Sequence, residues 1–120
     1  MSAASVLIAD DDALLRETLG DCLSGLGYEV RTAADGSAAV AELGRARCDL
    51  LVSDVDMPGL SGFQVLEWVR ARWSELPVIL MSARANGELE RSARGAGACL
   101  LMAKPLDIGR FVPLVRSIVR

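Results

Sequence analysis

Val6-Leu7-Ile8-Ala9-Asp10-Asp11-Asp12 decides the architecture: a short apolar run that stops abruptly at three consecutive aspartates. A strand that is apolar at successive positions, not at alternate ones, is buried on both faces. Such strands belong to parallel sheets covered by helices on each side. The next segment fits a covering helix. Leu15, Leu19, Cys22, Leu23 and Leu26 recur at helical spacing, with Asp12 as N-cap and Gly27 just past the end, so the spacing predicts a helix of about fourteen residues.

The unit recurs along the chain. Tyr28 to Ala33 reads as a second strand. Asp35-Gly36 opens a helix with Ala39, Val40 and Leu43 on one face. Leu50-Leu51-Val52 is a third strand ending at Asp54, and the loop Met57-Pro58-Gly59-Leu60-Ser61-Gly62 leads into a helix carrying Phe63, Val65, Leu66 and Val69. Pro77 starts the fourth run, Val78 to Met81, which ends at Ser82. Asn86 to Gly97 is a poor helix, with three glycines and only Leu89, Ala93 and Ala96 as an apolar face. Cys99 to Ala103 is the fifth strand, ending at Lys104-Pro105. Asp107 caps a last helix with Ile108, Phe111, Val115 and Ile118 inward. Pro113 falls past its first turn. The pattern predicts a distorted opening there: a tight turn over 107–111 with the regular helix set by Pro113 near its start, or a modest kink with Arg110 turned to solvent. Five β–α units give a single doubly wound α/β domain with right-handed crossovers. Sites in such sheets form at the carboxyl ends of strands.

Composition narrows the chemistry. A chain of 120 residues, 52% hydrophobic, fits one domain and buries about two thirds of its unfolded surface without disulfides or metals. Its net charge of −3 argues against direct nucleic-acid binding. Histidine is absent, which excludes a Ser-His-Asp triad, a histidine base and a histidine metal site. Cys22, Cys48 and Cys99 form no C-x-x-C and read as small buried apolar residues of a reduced, cytoplasmic protein. No apolar stretch approaches the roughly 20 residues of a membrane helix, and the N-terminus lacks a signal-peptide pattern. The sequence ends at Arg120, where the last helix should end, so the expectation is one domain over 1–120 with no output domain.

The residues at the strand ends carry the functional reading. Asp10, Asp11 and Asp12 come after the first strand, Asp54 and Asp56 after the third, Ser82 after the fourth and Lys104 after the fifth. Carboxylates gathered in one pocket repel unless a cation is present. Oxygen ligands alone favour a hard ion, Mg²⁺ with Mn²⁺ as substitute. Lys104 is the only lysine among thirteen basic residues and stands immediately after a strand. A compact ammonium there suits a carboxylate–phosphate cluster. Asp12, Asp35 and Asp107 read as helix caps.

These residues resemble those of the receiver domain of bacterial two-component response regulators. The resemblance lies in V-L-I-A-D-D-D at 6–12, L-L-V-S-D-V-D-M-P-G-L-S-G at 50–62, P-V-I-L-M-S-A at 77–83 and K-P-L at 104–106. It implies the flavodoxin-like strand order 2-1-3-4-5 and a role for each matching residue. Asp54 would accept a phosphoryl group from a phosphohistidine on a sensor histidine kinase or histidine phosphotransfer protein. Asp11, Asp54 and the Asp56 backbone carbonyl would bind Mg²⁺, with Asp10 acting through water. Ser82, the Ala83 backbone N–H and Lys104 would hold the phosphoryl oxygens. Asp56 and Arg84 would pair across the mouth of the site and gate it against water. The resemblance also implies a switching face made by the fourth helix, fifth strand and fifth helix. Through it the domain would engage an output domain or target protein, as a monomer or a phosphorylation-dependent homodimer. One position departs from the family: Leu101 stands where an aromatic residue is common, so switching would run through Ser82 and loop movement or through Leu101 packing.

Two other readings compete. Asp54-Val55-Asp56 also resembles the D-x-D of haloacid-dehalogenase-type phosphatases, but Pro58 stands where those enzymes have Thr or Val, and the second acidic pair precedes the D-x-D instead of coming after it. A phosphorylation-independent interaction module would not need its site positions filled with competent residues, as they are here.

Overall fold

The computed structural model describes residues 3–119. Five parallel strands alternate with five helices: β1 (Ser5–Ala9), α1 (Ala13–Gly25), β2 (Glu29–Ala33), α2 (Gly36–Arg45), β3 (Leu50–Asp54), α3 (Gly62–Arg72), β4 (Val78–Ser82), α4 (Gly87–Gly95), β5 (Leu100–Ala103) and α5 (Ile108–Ile118). The sheet order is β2-β1-β3-β4-β5, as expected. The chain winds one way from β1 to β2 and the other way from β3 onward, which leaves a crevice between the ends of β1 and β3.

The continuous apolar runs sit at the centre. β3 and β4 are buried at every position, and β1 at all but Ser5. The edge strands β2 and β5 are partly exposed, because each has a neighbour on one side only. Alternate residues feed two cores. Leu7, Leu51, Val55 and Leu80 pack against α2 and α3, with Ala93 of α4 in the same cluster. Val6, Ile8, Leu50, Val52, Ile79 and Met81 pack against α1 and α5, where Leu19, Leu23, Phe111 and Val115 are buried. Burying a side chain of this size contributes about 1.5–3 kcal/mol relative to exposure, so this double layer dominates the stability.

Asp12, Asp35 and Asp107 cap their helices as the sequence places them, and Ser61 and Asn86 cap the other two. Asp12 accepts the Leu14 and Leu15 N–H groups, Asp35 that of Ala38, Asn86 that of Leu89 and Asp107 that of Gly109. Ser61 and Gln64 form a reciprocal capping box at α3. Gly27, with φ 96°, ends α1 in the left-handed region. In α4 only Ala93 is buried, so its apolar face is narrower than Leu89, Ala93 and Ala96 would make it.

Two expectations are corrected. The regular part of α5 is not delayed to Pro113: it is α-helical from Ile108, with Pro113 inside it, while Arg110 is exposed and its N–H makes a tight-turn bond to the Asp107 carbonyl at 3.0 Å. Phe111 N–H already donates to the Asp107 carbonyl at 2.9 Å, so the helix is nucleated before the proline is reached. The carbonyl that Pro113 cannot bond belongs to Gly109, and both residues lie on the exposed side, where water can serve that carbonyl. The cysteines are also not uniformly buried: Cys48 is, Cys22 is half-buried and Cys99 is exposed. Cys99 stands just before the edge strand β5, which has no further strand to cover it.

Candidate functional site

Register alone assembles the site. Ala9 is level with Ser53 in the β1–β3 pair, so Asp10 falls beside Asp54, the last residue of β3. Ser82 ends β4 and is level with Ala103, so Lys104 comes next beside it. The Lys104 N–H donates to the Ser82 carbonyl at 2.9 Å, continuing the ladder by one step.

The side chains then converge. Lys104 Nζ lies 2.7 Å from Asp10 Oδ2 and 3.1 Å from Asp54 Oδ2. Asp10 is fully buried and Asp54 nearly so. Asp10 Oδ1 accepts the Asp12 N–H at 2.9 Å. Asp10, Asp11 and Asp54 each bring a carboxylate oxygen within 4.8 Å of the others, with Asp11 on the exposed side. Three hard oxygen donors at that spacing, two of them buried, fit a divalent cation of the Mg²⁺ class.

The other residues singled out from the sequence surround this cluster. Ser82 is buried, and its Oγ accepts the Arg84 N–H at 2.9 Å, which leaves the hydroxyl proton to donate elsewhere. Ala83 is exposed and lines an apolar groove with Leu15, Lys104, Pro105 and Ile108. Asp56 lies on the loop after β3, and its N–H makes a long contact of 3.4 Å to Asp54 Oδ1. Arg84 grips the Asp56 carboxylate with two nitrogens, at 2.7 and 3.3 Å, bridging the loops after β3 and β4. Leu101 is not part of the cluster; it is half-buried in β5, packed against the core that includes Ala93.

Three features were not read from the sequence. Gly62 is required by close approach: a Cβ there would overlap the Asp54 carbonyl oxygen and lie 2.9 Å from Val55 Cα. Its N–H donates to the Val55 carbonyl at 2.8 Å, closing the loop after Asp54. Ser53 Oγ donates to the Asp54 carbonyl at 3.0 Å, beneath the site. Arg16 of α1 donates from Nη1 to the Asp10 carbonyl at 2.6 Å. The sequence signal for Arg16 is a basic residue one helical turn beyond the N-cap of an acidic run.

Known proteins share this fold. The model of the response regulator receiver domain matches residues 6–116. The chain belongs to this family. It is 38% identical over 113 residues to the response regulator protein FleR of Pseudomonas aeruginosa, covering 94% of this chain and 24% of that one. The chain spans between 24% and 50% of the length of the curated relatives it matches. Its fold superimposes on chemotaxis protein CheY4 of Vibrio cholerae with a TM-score of 0.91 at 30% identity, covering 98% of this chain and all of that one. The receiver domain is similar, at a TM-score of 0.90 and 26% identity, to a chain of the CheX–CheY–BeF₃–Mg²⁺ complex from Borrelia burgdorferi, over 99% of this chain and 92% of that one. Among the described residues no helix is long and apolar enough to cross a membrane.

Electrostatics distinguishes the members of the cluster. Burial pushes the Asp54 carboxyl above its ordinary range. Lys104, by hydrogen bond and charge, pulls it down, and the Asp10 carboxylate adds to the rise. Burial taken alone would lower the Lys104 ammonium, but its bonds to Asp10 and Asp54 outweigh that and hold it above its usual value. A carboxyl whose folded pKa is raised adds stability at pH values below its unfolded pKa, and loses that contribution as pH rises through the folded value. In metal-free buffer, Asp54→Asn is expected to melt a few degrees above the wild type at pH 7, with the gap closing as pH falls toward the carboxylate range. Thermal melts in EDTA from pH 4 to 8 check this; an Asn variant that melts lower at pH 7 contradicts it.

Proposed function

We propose that this receiver domain is the phosphoacceptor of a two-component system, taking a phosphoryl group on Asp54. The observation that carries the reading is the placement of a nearly buried, raised-pKa carboxylate within reach of an ammonium and two further carboxylates, beside a buried serine hydroxyl. An Asp54 oxygen attacks the phosphorus of a phosphohistidine; the P–N bond breaks as the P–O bond forms, and the leaving imidazole keeps the electron pair and takes up a proton. The donor's histidine belongs to a sensor kinase or histidine phosphotransfer protein, since this chain has none.

Such a transfer depends on alignment and charge neutralisation more than on covalent chemistry by side chains. Lys104, already 3.1 Å from Asp54, is the counter-charge for one phosphoryl oxygen. Ser82 donates its free hydroxyl proton to another, and the Ala83 N–H, at the exposed end of β4, serves a third. Asp11, Asp54 and the Asp56 carbonyl would hold Mg²⁺, with Asp10 acting through water. The ion, when bound, supplies the positive charge that lets a carboxylate meet an anionic donor. The Mg²⁺ and beryllofluoride named in the Borrelia complex support carrying this chemistry over.

We place the domain in the cytoplasm as a self-modifying regulatory unit, not a turnover enzyme, spanning the whole of 1–120 and acting through an output domain or a separate target. Its acidic balance fits no direct contact with nucleic acid. The α4–β5–α5 face is the moving one: α4 buries a single residue and is the first element after Arg84, and weakly packed elements are the ones that shift.

Three outcomes are expected. Label from acetyl phosphate enters the wild type once per chain, only with Mg²⁺, and not at all in Asp54→Asn; stable labelling of that variant removes Asp54 as nucleophile, continuous phosphate release favours the phosphatase reading, and no labelling of the wild type favours the interaction module. Amide exchange on adding beryllofluoride changes most in residues 83–119; change confined to residues 14–46 refutes the assignment of the face. Phosphate is lost faster from Arg84→Ala, by about 2- to 10-fold, the range a barrier change of roughly 0.4–1.4 kcal/mol gives, because the Arg84–Asp56 pair covers the approach of water; equal or slower loss excludes gating.

A further inference from the structure

We propose that Arg16 is a positioning residue for the acidic pocket: it fixes the Asp10–Asp11 peptide and thereby sets the affinity for the divalent cation. The inference rests on the proposed phosphoacceptor site and concerns how that site is held in shape.

Arg16 sits one turn into α1, its N–H donating to the Asp12 carbonyl at 3.0 Å. Its side chain turns back toward the strand and places Nη1 2.6 Å from the Asp10 carbonyl oxygen. It is half-buried, and among the described residues it forms no ion pair, although three aspartates lie four to six positions before it. A guanidinium so close to carboxylates that bonds a backbone oxygen instead is placed for geometry.

The bond completes the fixing of Asp10. Its N–H donates to Ala33 at 3.1 Å, Oδ1 accepts the Asp12 N–H at 2.9 Å and Oδ2 accepts Lys104 Nζ at 2.7 Å. The carbonyl is the remaining polar group, and Arg16 takes it. Asp11 differs: it is exposed, and its side chain makes no hydrogen bond among the described residues. Its carboxylate is therefore held only through its backbone, by the Asp12 cap on one side and by the Asp10–Asp11 peptide on the other. Arg16 is the side chain that orients that peptide.

Charge and geometry oppose each other here, which makes the inference testable by sign. Arg16 is a cation near a cation site, so deleting its charge should by itself tighten Mg²⁺ binding. Loss of a group that orients a ligand should weaken it, typically by about 10-fold or more. Calorimetric titration of the 120-residue chain with Mg²⁺ at pH 7, in wild type, Arg16→Met and Arg16→Lys, separates the two. The expected result is about 10-fold weaker binding in the Met variant, with the Lys variant between it and wild type, since lysine keeps the charge and one donor that can reach a carbonyl. Binding in the Met variant as tight as wild type or tighter overturns the inference and leaves the phosphoacceptor site standing. No Mg²⁺ binding by the wild type overturns both. If circular dichroism shows the Met variant unfolded, the Lys variant decides: weaker binding than wild type supports positioning, and equal binding overturns it.

Discussion

The ammonium of Lys104 between Asp10 and Asp54 is the contact on which the site depends. Two buried carboxylates near each other repel strongly; unit charges about 4 Å apart interact by roughly 4 kcal/mol at the effective dielectric of a protein surface. Without a counter-charge, holding both carboxyls ionised in this space would be costly. Lys104 opposes this from 2.7 and 3.1 Å, and its own raised pKa shows that it stays charged there. Neutralisation is nevertheless incomplete. Asp54 remains above its ordinary range and Asp11 has no cationic partner among the described residues, so the pocket keeps an attraction for a further positive charge.

The scaffold exists to hold that contact against its tendency to relax. Lys104 and Asp10 lie 94 positions apart, and what joins them is a sheet whose central strands are buried on both faces. A one-residue slip of β3 against β1 would turn Asp54 to the other face and carry a charge into the α2–α3 core. The apolar packing of Val52 and Leu50 on one side, and of Leu51 and Val55 on the other, forbids the slip. Beyond the last register pair the backbone itself is fixed: Gly62 packs on the Asp54 carbonyl and Ser53 donates to it, so the main chain of Asp54 is held from two sides.

Much of this was legible in the sequence, because the determinants are local. Apolar runs mark buried strands, caps mark helix starts, and in a parallel sheet the residues after each strand share an edge. Asp10, Asp54, Ser82 and Lys104 could thus be grouped before their distances were known. What escaped notice depends on nonlocal context. Pro113 argues against a regular opening of α5 only if the orphaned Gly109 carbonyl is buried, and it lies on the exposed side. Cys99 looks apolar by composition, but it precedes an edge strand. The partner of Arg16 is a backbone carbonyl, which leaves no mark on the identity of any residue. Gly62 stands in a recognisable motif, yet the reason for a glycine there is the Asp54 carbonyl against its Cα, a contact that appears only when loop and strand are folded together.

The same contacts define where a disturbance at the site meets least resistance. Toward β1 and β3 it meets buried strands and a fully bonded Asp10. Toward β4 it meets Ser82, whose Oγ holds the Arg84 N–H, and Arg84, whose side chain is tied, among the described residues, only to Asp56 at the surface. Beyond Arg84 lies α4, held at its far end by the Arg70 guanidinium, which grips the Gly97 carbonyl at 2.7 and 3.2 Å as well as the carbonyls of Trp73 and Leu76. At its near end α4 has its Asn86 cap, and along its length one buried side chain. A helix anchored at one end and lightly packed along its body resists displacement least at its other end. If α4 moves as proposed, the Arg70–Gly97 contact would be its pivot and the end nearest Ser82 and Arg84 the one displaced. A pull on Ser82 or Arg84 would therefore be taken up by α4, while β1, β3 and α1 keep the geometry of the site.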